Sequence, residues 1–87
     1  MYLLIVYDME IERVNNMHKF LKKYLSWIQN SVFEGEVGLA DYFAIKKGIK
    51  KIIDKEKDSV LIFKFRDKHV FEKEVIGAEK NPVTNIV

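Results

Sequence analysis

The sequence predicts one α+β domain in which two helices cover one face of an antiparallel sheet. Strand and helix patterns alternate along the chain, and 87 residues suffice for a single hydrophobic core. The apolar share of 48% beside a charged share of 32% is that of an ordinary globular protein. No linker, repeat or low-complexity segment interrupts the pattern, so residues 1–87 are predicted to form one domain.

The first two elements are a strand and a helix. Residues 2–7, Tyr-Leu-Leu-Ile-Val-Tyr, form an apolar run that ends at Asp8, as in a strand buried on both faces. Apolar residues then recur at helical spacing and predict an amphipathic helix over residues 12–25. Acidic residues at its start and lysines towards its end suit the helix dipole.

An extended region and a second helix follow. Residues 27–34 mix β-branched and aromatic side chains with polar ones, which predicts strand structure. Within them, Asn30-Ser31 is either a tight turn between two strands or a bulge in one long strand. Residues 39–54 show helical spacing again. Gly48 inside this helix costs about 1 kcal/mol relative to alanine, which indicates a close packing point.

The last part of the chain carries shorter strand patterns. Residues 60–65 predict a strand, and residues 69–76 alternate enough to predict another. After Pro82, residues 83–87 are expected to form a short strand at a sheet edge. The resulting order is that of a ferredoxin-like sandwich. We expect residues 78–87 to be a C-terminal extension that joins the sheet edge of a second copy.

The predicted sheet has one face without helices. Residues 2–7 and 60–65 would still present apolar side chains there, and large exposed apolar surfaces usually mark association sites. The sequence therefore predicts a homodimer whose two sheets pack face to face.

Composition and motifs exclude several classes of function. The absence of cysteine excludes a disulfide framework, a thiolate zinc site and a cysteine nucleophile. The sequence contains neither a glycine-rich phosphate loop nor an H-E-x-x-H motif. Its apolar runs are far shorter than the ~20 residues of a membrane span, so we expect a cytoplasmic protein with no membrane partner. A net charge of +2 is only a weak indication of nucleic-acid binding.

Asp8 is the first candidate site residue, because it ends a strand that would hold it rigidly. A turn or N-cap aspartate is an equally good interpretation. If the strand continued, Glu10 and Glu12 would share a face with Asp8 and resemble a site for a hard cation. A charged first helical turn is the favoured interpretation of these two glutamates.

The remaining candidates have both structural and functional interpretations. His18 and His69 are read as a core and a surface histidine. Three aromatic residues have two interpretations: they stack on nucleic-acid bases, or they belong to the core. These residues are Tyr7, Trp27 and Phe33. A row of lysines on the second helix would contact phosphates or form a solvated face. These lysines are Lys46, Lys47, Lys50 and Lys51.

The sequence resembles one family along essentially its whole length. Residues 29–36, Gln-Asn-Ser-Val-Phe-Glu-Gly-Glu, resemble the Q-x-S-V-F-E-G-E signature of the small CRISPR-associated protein that acts with the integrase in spacer acquisition. Residues 6–8, Val-Tyr-Asp, are similar to that family's Y-D motif. Residues 58–60 and 75–77 also match.

The resemblance implies a ferredoxin-like homodimer that handles DNA beside the CRISPR integrase. Members are also described as magnesium-dependent endonucleases on RNA or double-stranded DNA. It further implies that Asp8 is the metal ligand and that Tyr7, Ser31 and Phe33 belong to the catalytic site. Some nuclease-active members carry arginine where this chain has Trp27.

Two functions follow as hypotheses from this resemblance. In the first, the protein is a metal-dependent phosphodiesterase. One carboxylate is too few to hold magnesium, so the two Asp8 side chains of a dimer would share one Mg²⁺ or Mn²⁺. In the second, the protein is a non-catalytic scaffold that bridges integrase units and grips the DNA backbone through lysines. A toxin-like small ribonuclease of the same fold is a further alternative.

Overall fold

The computed structural model describes residues 1–70, 72–78 and 80. Its elements are β1 (Tyr2–Asp8), α1 (Ile11–Leu21), β2 (Ser26–Gln29), β3 (Val32–Glu36), α2 (Leu39–Ile52) and β4 (Ser59–Phe65), followed by a 3₁₀ turn at Lys68–Val70. The predicted α+β class and the order of its first six elements are confirmed.

The four strands form one antiparallel sheet in the order β2-β3-β1-β4. The central strand β1 is flanked on both sides, so that Ile5 lies opposite Phe33 on β3 and Ile62 on β4. Because side chains alternate along a strand, Leu3, Ile5 and Tyr7 share one face of the sheet. That face, which we call the covered face, packs on the core residues of the helices, Met17, Leu21, Tyr42, Ile45 and Ile49.

The opposite side of the sheet, which we call the open face, carries the other residues of the alternation. Leu4 and Val6 of β1 lie there beside their β4 partners Phe63 and Leu61. Leu61 is 54% exposed and Phe63 is 46% exposed. Both helices lie on the other side, so these apolar side chains remain in contact with water.

The β2–β3 region combines the two predicted alternatives. Asn30 adopts a left-handed conformation with φ 45°, which is tolerated by asparagine in tight turns, and β3 begins two residues later. Residues 26–36 are therefore a hairpin. The pairing of the two strands is also irregular between Trp27 and Gln29, so the hairpin carries a bulge as well.

The end of α1 differs from the prediction of residues 12–25. The helix ends at Leu21, and the Leu21 carbonyl accepts hydrogen bonds from the amides of Tyr24 and Leu25 in a closing turn. Leu25 still reaches the core, from the approach to β2 instead of from the helix. The apolar spacing therefore correctly predicted that Leu25 is buried, but it wrongly predicted that Leu25 is helical.

The predicted strand over residues 69–76 is wrong. Val70 ends the 3₁₀ turn, and residues 72–76 have no regular structure. The segment instead lies over the β2–β3 side of the open face, where the Lys73 ammonium contacts Glu34 Oε2 at 2.7 Å. The alternation of apolar and polar residues in this segment reflects its position over the sheet. The described residues of the segment pair with no strand, so they do not form one themselves. The predicted strand 83–87 lies outside the described residues.

Gly48 marks the close helix packing that its position suggested. A β-carbon at this position would overlap the ring of Phe20 on α1. The absence of a side chain on α2 thus lets the two helices approach each other over the covered face.

Candidate metal and nucleic-acid site

Asp8 is the exposed carboxylate at the end of β1. It lies opposite Ser59, and the strand alternation places it on the open face with Leu4 and Val6. The N-cap of α1 is Glu10, so Asp8 does not cap the helix, and the favoured interpretation of a charged first turn is confirmed by Glu12. In the described ranges, no three acidic or histidine side chains come together as a metal site.

A buried carboxylate next to this position fixes the local backbone. Asp58 directly precedes Ser59, and its side chain is fully buried. It accepts hydrogen bonds from the amides of Glu10, at 2.9 Å, and Asp54, at 2.8 Å. Arg13 donates two more, from Nη2 at 2.9 Å and from Nε. We call Asp58 and its three partners the Asp58 clamp.

The clamp joins three elements at the Asp8 end of the molecule. Glu10 and Arg13 belong to the start of α1, Asp54 follows α2, and Asp58 leads into β4. Hydrogen bonds from Arg13 hold the pKa of Asp58 well below its usual range, and the pKa of Arg13 is raised in return. The pairing thus anchors the strand that faces Asp8.

Sequence reasoning missed the clamp. Asp58 appeared only as part of a matched motif, and Arg13 not at all, because the two residues are 45 positions apart and no spacing rule connects them. One signal was available in retrospect. Arg13 is the only basic residue in the first half of α1, and Asp58 is an acid placed directly before a strand.

Tyr7, Ser31 and Phe33 lie together, but on the covered face. The Tyr7 amide donates to the Ser31 carbonyl at 3.1 Å, and the Tyr7 and Phe33 rings stack with centroids 6.2 Å apart. Phe33 is fully buried and Tyr7 nearly so, which confirms their interpretation as core residues. Burial raises the pKa of Tyr7, while a hydrogen bond with Ser31 opposes that shift. The sheet therefore separates these three side chains from the Asp8 carboxylate.

The aromatic cluster continues to the hairpin. The His18 ring meets Trp27 edge-on at 5.1 Å and Phe33 at 5.2 Å, so His18 packs at the margin of the core as predicted. Trp27 Nε1 donates to the Asn30 carbonyl at 2.9 Å and thereby fastens the turn. His69 is a surface residue, 83% exposed at its side chain and beside Asp67.

The predicted lysine row occupies the outside of α2. Lys47, Lys50 and Lys51 are exposed, whereas Lys46 is half-buried against the Tyr42 ring. Lys50 and Lys51 are in the last turn of α2, which leads through Asp54 to the Asp58 clamp. The row therefore runs towards the end of the molecule that carries Asp8, but on the helix side of the sheet.

Comparison with known proteins accounts for this combination of a Y-D strand end and an S-V-F-E-G hairpin. The family described as CRISPR associated protein Cas2 matches residues 1–73. The chain belongs to this Cas2 family. A relative from Pyrococcus furiosus, named CRISPR-associated endoribonuclease Cas2, is 53% identical over the full length of both chains. A relative of the same name from Methanocaldococcus jannaschii is 49% identical, over all of this chain and 76% of its own.

Solved structures agree in fold. A crystal structure titled cas2 superposes with a TM-score of 0.86 at 47% identity, covering 100% of this chain and 98% of that one. Streptococcus pyogenes Cas2 gives a TM-score of 0.78 at 30% identity, over 88% of this chain and 100% of its own. Both support the ferredoxin-like assignment. In the part of the chain that the structure describes, no helix is long and apolar enough to cross a membrane.

Proposed function

We propose that the protein is a metal-dependent endonuclease that acts on RNA as a homodimer and serves in CRISPR spacer acquisition. The observation that carries the proposal is the position of Asp8, an exposed carboxylate on the same face as the apolar Leu61 and Phe63. RNA is the first substrate to test because the relatives are named endoribonucleases.

The open face supports dimer formation. Leu61 and Phe63 are both about half exposed, although burial of such side chains is favourable by about 1.5–3 kcal/mol each. Packing two open faces together would remove them from water and bring the two Asp8 residues to one interface. We expect light scattering to give twice the 10.3 kDa of one chain. Glutamate substitutions at both positions should give a folded monomer, and an unchanged mass would contradict this interface.

The donor set of one chain is incomplete for a metal ion, but that of two chains fits magnesium. Asp8 offers one carboxylate, and Ser59 opposite it adds only a hydroxyl. Magnesium requires six oxygen ligands, and a pair of carboxylates together with several waters can supply them. The two Asp8 side chains of a dimer would supply such a pair, and Mn²⁺ accepts the same oxygen ligands.

The chain's own residues would hold this pair in place. The Asp58 clamp fixes the start of β4, where Ser59 lies opposite Asp8. The buried Tyr7 and Phe33 rings support β1 from the covered face. A bound magnesium ion would supply Lewis-acid polarisation of the phosphodiester and a more acidic water. A water held by such an ion would have to lose a proton to act as the nucleophile, so cleavage should increase with pH.

A cleavage assay with matched variants tests the metal site. Asp8→Asn keeps the side-chain shape but weakens metal binding, so RNA cleavage should fall by at least about 100-fold. Glu10→Gln removes a nearby carboxylate that has no part in the proposed site, and its activity should stay within about twofold of wild type.

The assay also needs a chelator and a second substrate. Chelation should abolish cleavage, and added Mg²⁺ or Mn²⁺ should restore it. Equal activity of wild type and Asp8→Asn would contradict the Asp8 site. Double-stranded DNA in the same assay determines whether the substrate is RNA alone.

A non-catalytic scaffold is the second candidate function, and the α2 lysines favour it. In a dimer built through the open faces, both α2 helices point outward, and Lys47, Lys50 and Lys51 of each protomer form a basic surface. Such a dimer would grip DNA backbone and bridge two CRISPR integrase units. Asp8→Asn should then leave spacer acquisition intact, whereas glutamate at the three lysines should reduce it. Loss of acquisition in Asp8→Asn would contradict the scaffold as the whole function.

A further inference from the structure

Two lysines from different elements contact one tyrosine at the end of the molecule opposite to Asp8. Tyr42 lies near the start of α2 and is only 8% exposed. Lys46 follows one turn later, and Lys64 reaches the same ring from β4. Their ammonium nitrogens lie 5.2 and 5.0 Å from the ring centroid. We call these three residues the Tyr42 cluster.

The Tyr42 cluster contains two positive charges and, among the residues that the structure describes, no acidic partner. The ion pairs among the described residues use other basic groups, so neither Lys46 nor Lys64 is neutralised by a carboxylate. One turn from Lys46 the helix offers Tyr42, Phe43, Ile49 and Lys50, none of which is acidic. Lys64 lies opposite Leu3 on β1. Two cations held at one ring repel each other, and a bound anion would remove that repulsion.

The excess of positive charge lowers the pKa of the Tyr42 hydroxyl. A hydrogen bond from Lys64 lowers the pKa of Tyr42 below its ordinary value, the charges of both lysines add to the effect, and burial opposes it. The neutral hydroxyl still has one O–H to donate. The cluster therefore offers two ammonium groups and one hydroxyl as donors to an oxyanion.

We propose that Lys46, Lys64 and the Tyr42 hydroxyl form an oxyanion site that holds a phosphate group of a nucleic-acid backbone. Lysine binds phosphate well as a point charge. A backbone phosphodiester has one negative charge and two non-bridging oxygens, so it could accept a hydrogen bond from each ammonium group. The inference rests on the proposed function in one respect, since that function supplies the nucleic acid.

The site is distinct from the proposed cleavage site. Lys64 lies opposite Leu3, whereas Asp8 lies opposite Ser59. The two positions are therefore at opposite ends of β1, roughly 17 Å apart along the strand, and on different faces of the sheet. A phosphate bound at the Tyr42 cluster anchors the nucleic acid without occupying the Asp8 site.

Binding of a fluorescent single-stranded RNA by Asp8→Asn protein tests the proposal without cleavage. Lys46→Gln with Lys64→Gln should weaken RNA affinity about 10-fold and reduce the slope of log affinity against log salt by about 0.7 for one lost phosphate contact. Lys55→Gln with Lys57→Gln is the matched control. It removes the same two charges from an exposed loop and should change affinity less than twofold.

Further measurements separate the origins of the effect. Tyr42→Phe keeps the ring but removes the O–H donor, and we expect an affinity loss of about threefold. Thermal melts establish that each variant is folded. A titration with inorganic phosphate, followed by the NMR resonances of the Tyr42 ring, tests whether the cluster binds the free ion. Binding of the RNA should shift the same resonances.

Each outcome decides the proposal. Equal RNA affinity of the cluster double variant and the loop control would overturn it. Lys64 would then only protect the edge strand β4 from pairing with another chain. Resonance shifts with inorganic phosphate, combined with that equality, would identify a free-phosphate site and overturn the backbone contact. Selective loss of affinity in the cluster variant would support it, even if wild-type protein showed no Asp8-dependent cleavage and the proposed nuclease function failed.

Discussion

The two faces of one sheet have different chemistry. The covered face buries Ile5 and Phe33 completely and has lysines at its margin, beside Tyr42. The open face keeps large apolar residues half exposed and carries carboxylates, including Asp8 and Glu34. Because residues of β1 alternate between the faces, a single strand serves both. One face stabilises the fold, while the other leaves apolar side chains and the Asp8 carboxylate exposed.

The largest contrast between the faces should appear in stability. Phe33→Ala removes a fully buried ring and should lower the free energy of unfolding by about 3–5 kcal/mol. Phe63→Ala, on the open face, should cost only about 0.5 kcal/mol for a single chain. Denaturant unfolding measures both, at protein concentrations low enough to dissociate a dimer. Similar losses at the two positions would contradict the division into a covered face that forms the core and an open face that does not.

The Asp58 clamp joins both helices to the start of β4. Its loss should have the next largest effect on stability. Asp58→Asn removes the charge that accepts four hydrogen bonds, including two from Arg13. Thermal melts at neutral pH should show a clear decrease in melting temperature. Glu12→Gln is the control, because its contact with Arg13 is exposed.

The pH dependence of this effect has a defined sign. The pKa of Asp58 is depressed in the fold, so its contribution to stability is present above the unfolded value near 4 and is lost as pH falls below it. The difference in melting temperature between wild type and Asp58→Asn should therefore shrink in acid. A constant difference from pH 7 to pH 2 would mean that the carboxylate charge is not the stabilising feature.

Sequence patterns predicted the covered face better than the open face. Periodicity identifies residues that face a core, and so the β1 and α2 patterns gave the right elements. It does not specify a partner for an amphipathic segment, which is why residues 69–76 were assigned to a strand. Long-range charge pairs such as Arg13–Asp58 leave no periodic signal at all. For Asp8, the end of the strand already indicated a candidate site residue, and the resemblance implied the more specific role of a metal ligand.

A smaller effect is expected where the helices of the covered face meet. Gly48→Ala improves helix propensity by about 1 kcal/mol, but the new methyl group would overlap the Phe20 ring. Overpacking costs typically about 1–3 kcal/mol, so the net change should be destabilising by about 0–2 kcal/mol. Phe20→Leu in the same chain should recover part of the loss. Stabilisation by Gly48→Ala alone would show that the ring moves aside at little cost.

The smallest effect compares one tyrosine from each side of the sheet. Tyr2 lies on the open face near Glu34 and Glu36, and burial together with those carboxylates raises its pKa to about 12. Tyr42 lies against the covered face, where Lys64 and Lys46 lower its pKa. A spectroscopic titration should therefore detect Tyr42 ionising before Tyr2, with Tyr2→Phe and Tyr42→Phe assigning the two steps.

The two shifts have opposite consequences for stability in alkali. For Tyr2, the raised pKa gives a contribution that is fully present below the unfolded value near 10 and is lost as pH rises towards 12. For Tyr42, the lowered pKa gives a contribution that appears only as the hydroxyl ionises, so it is absent at neutral pH. Wild type should thus lose stability relative to Tyr2→Phe above pH 10, whereas Tyr42→Phe should lose stability relative to wild type. An unchanged Tyr42 step in Lys64→Gln would show that Lys64 does not lower the pKa of Tyr42.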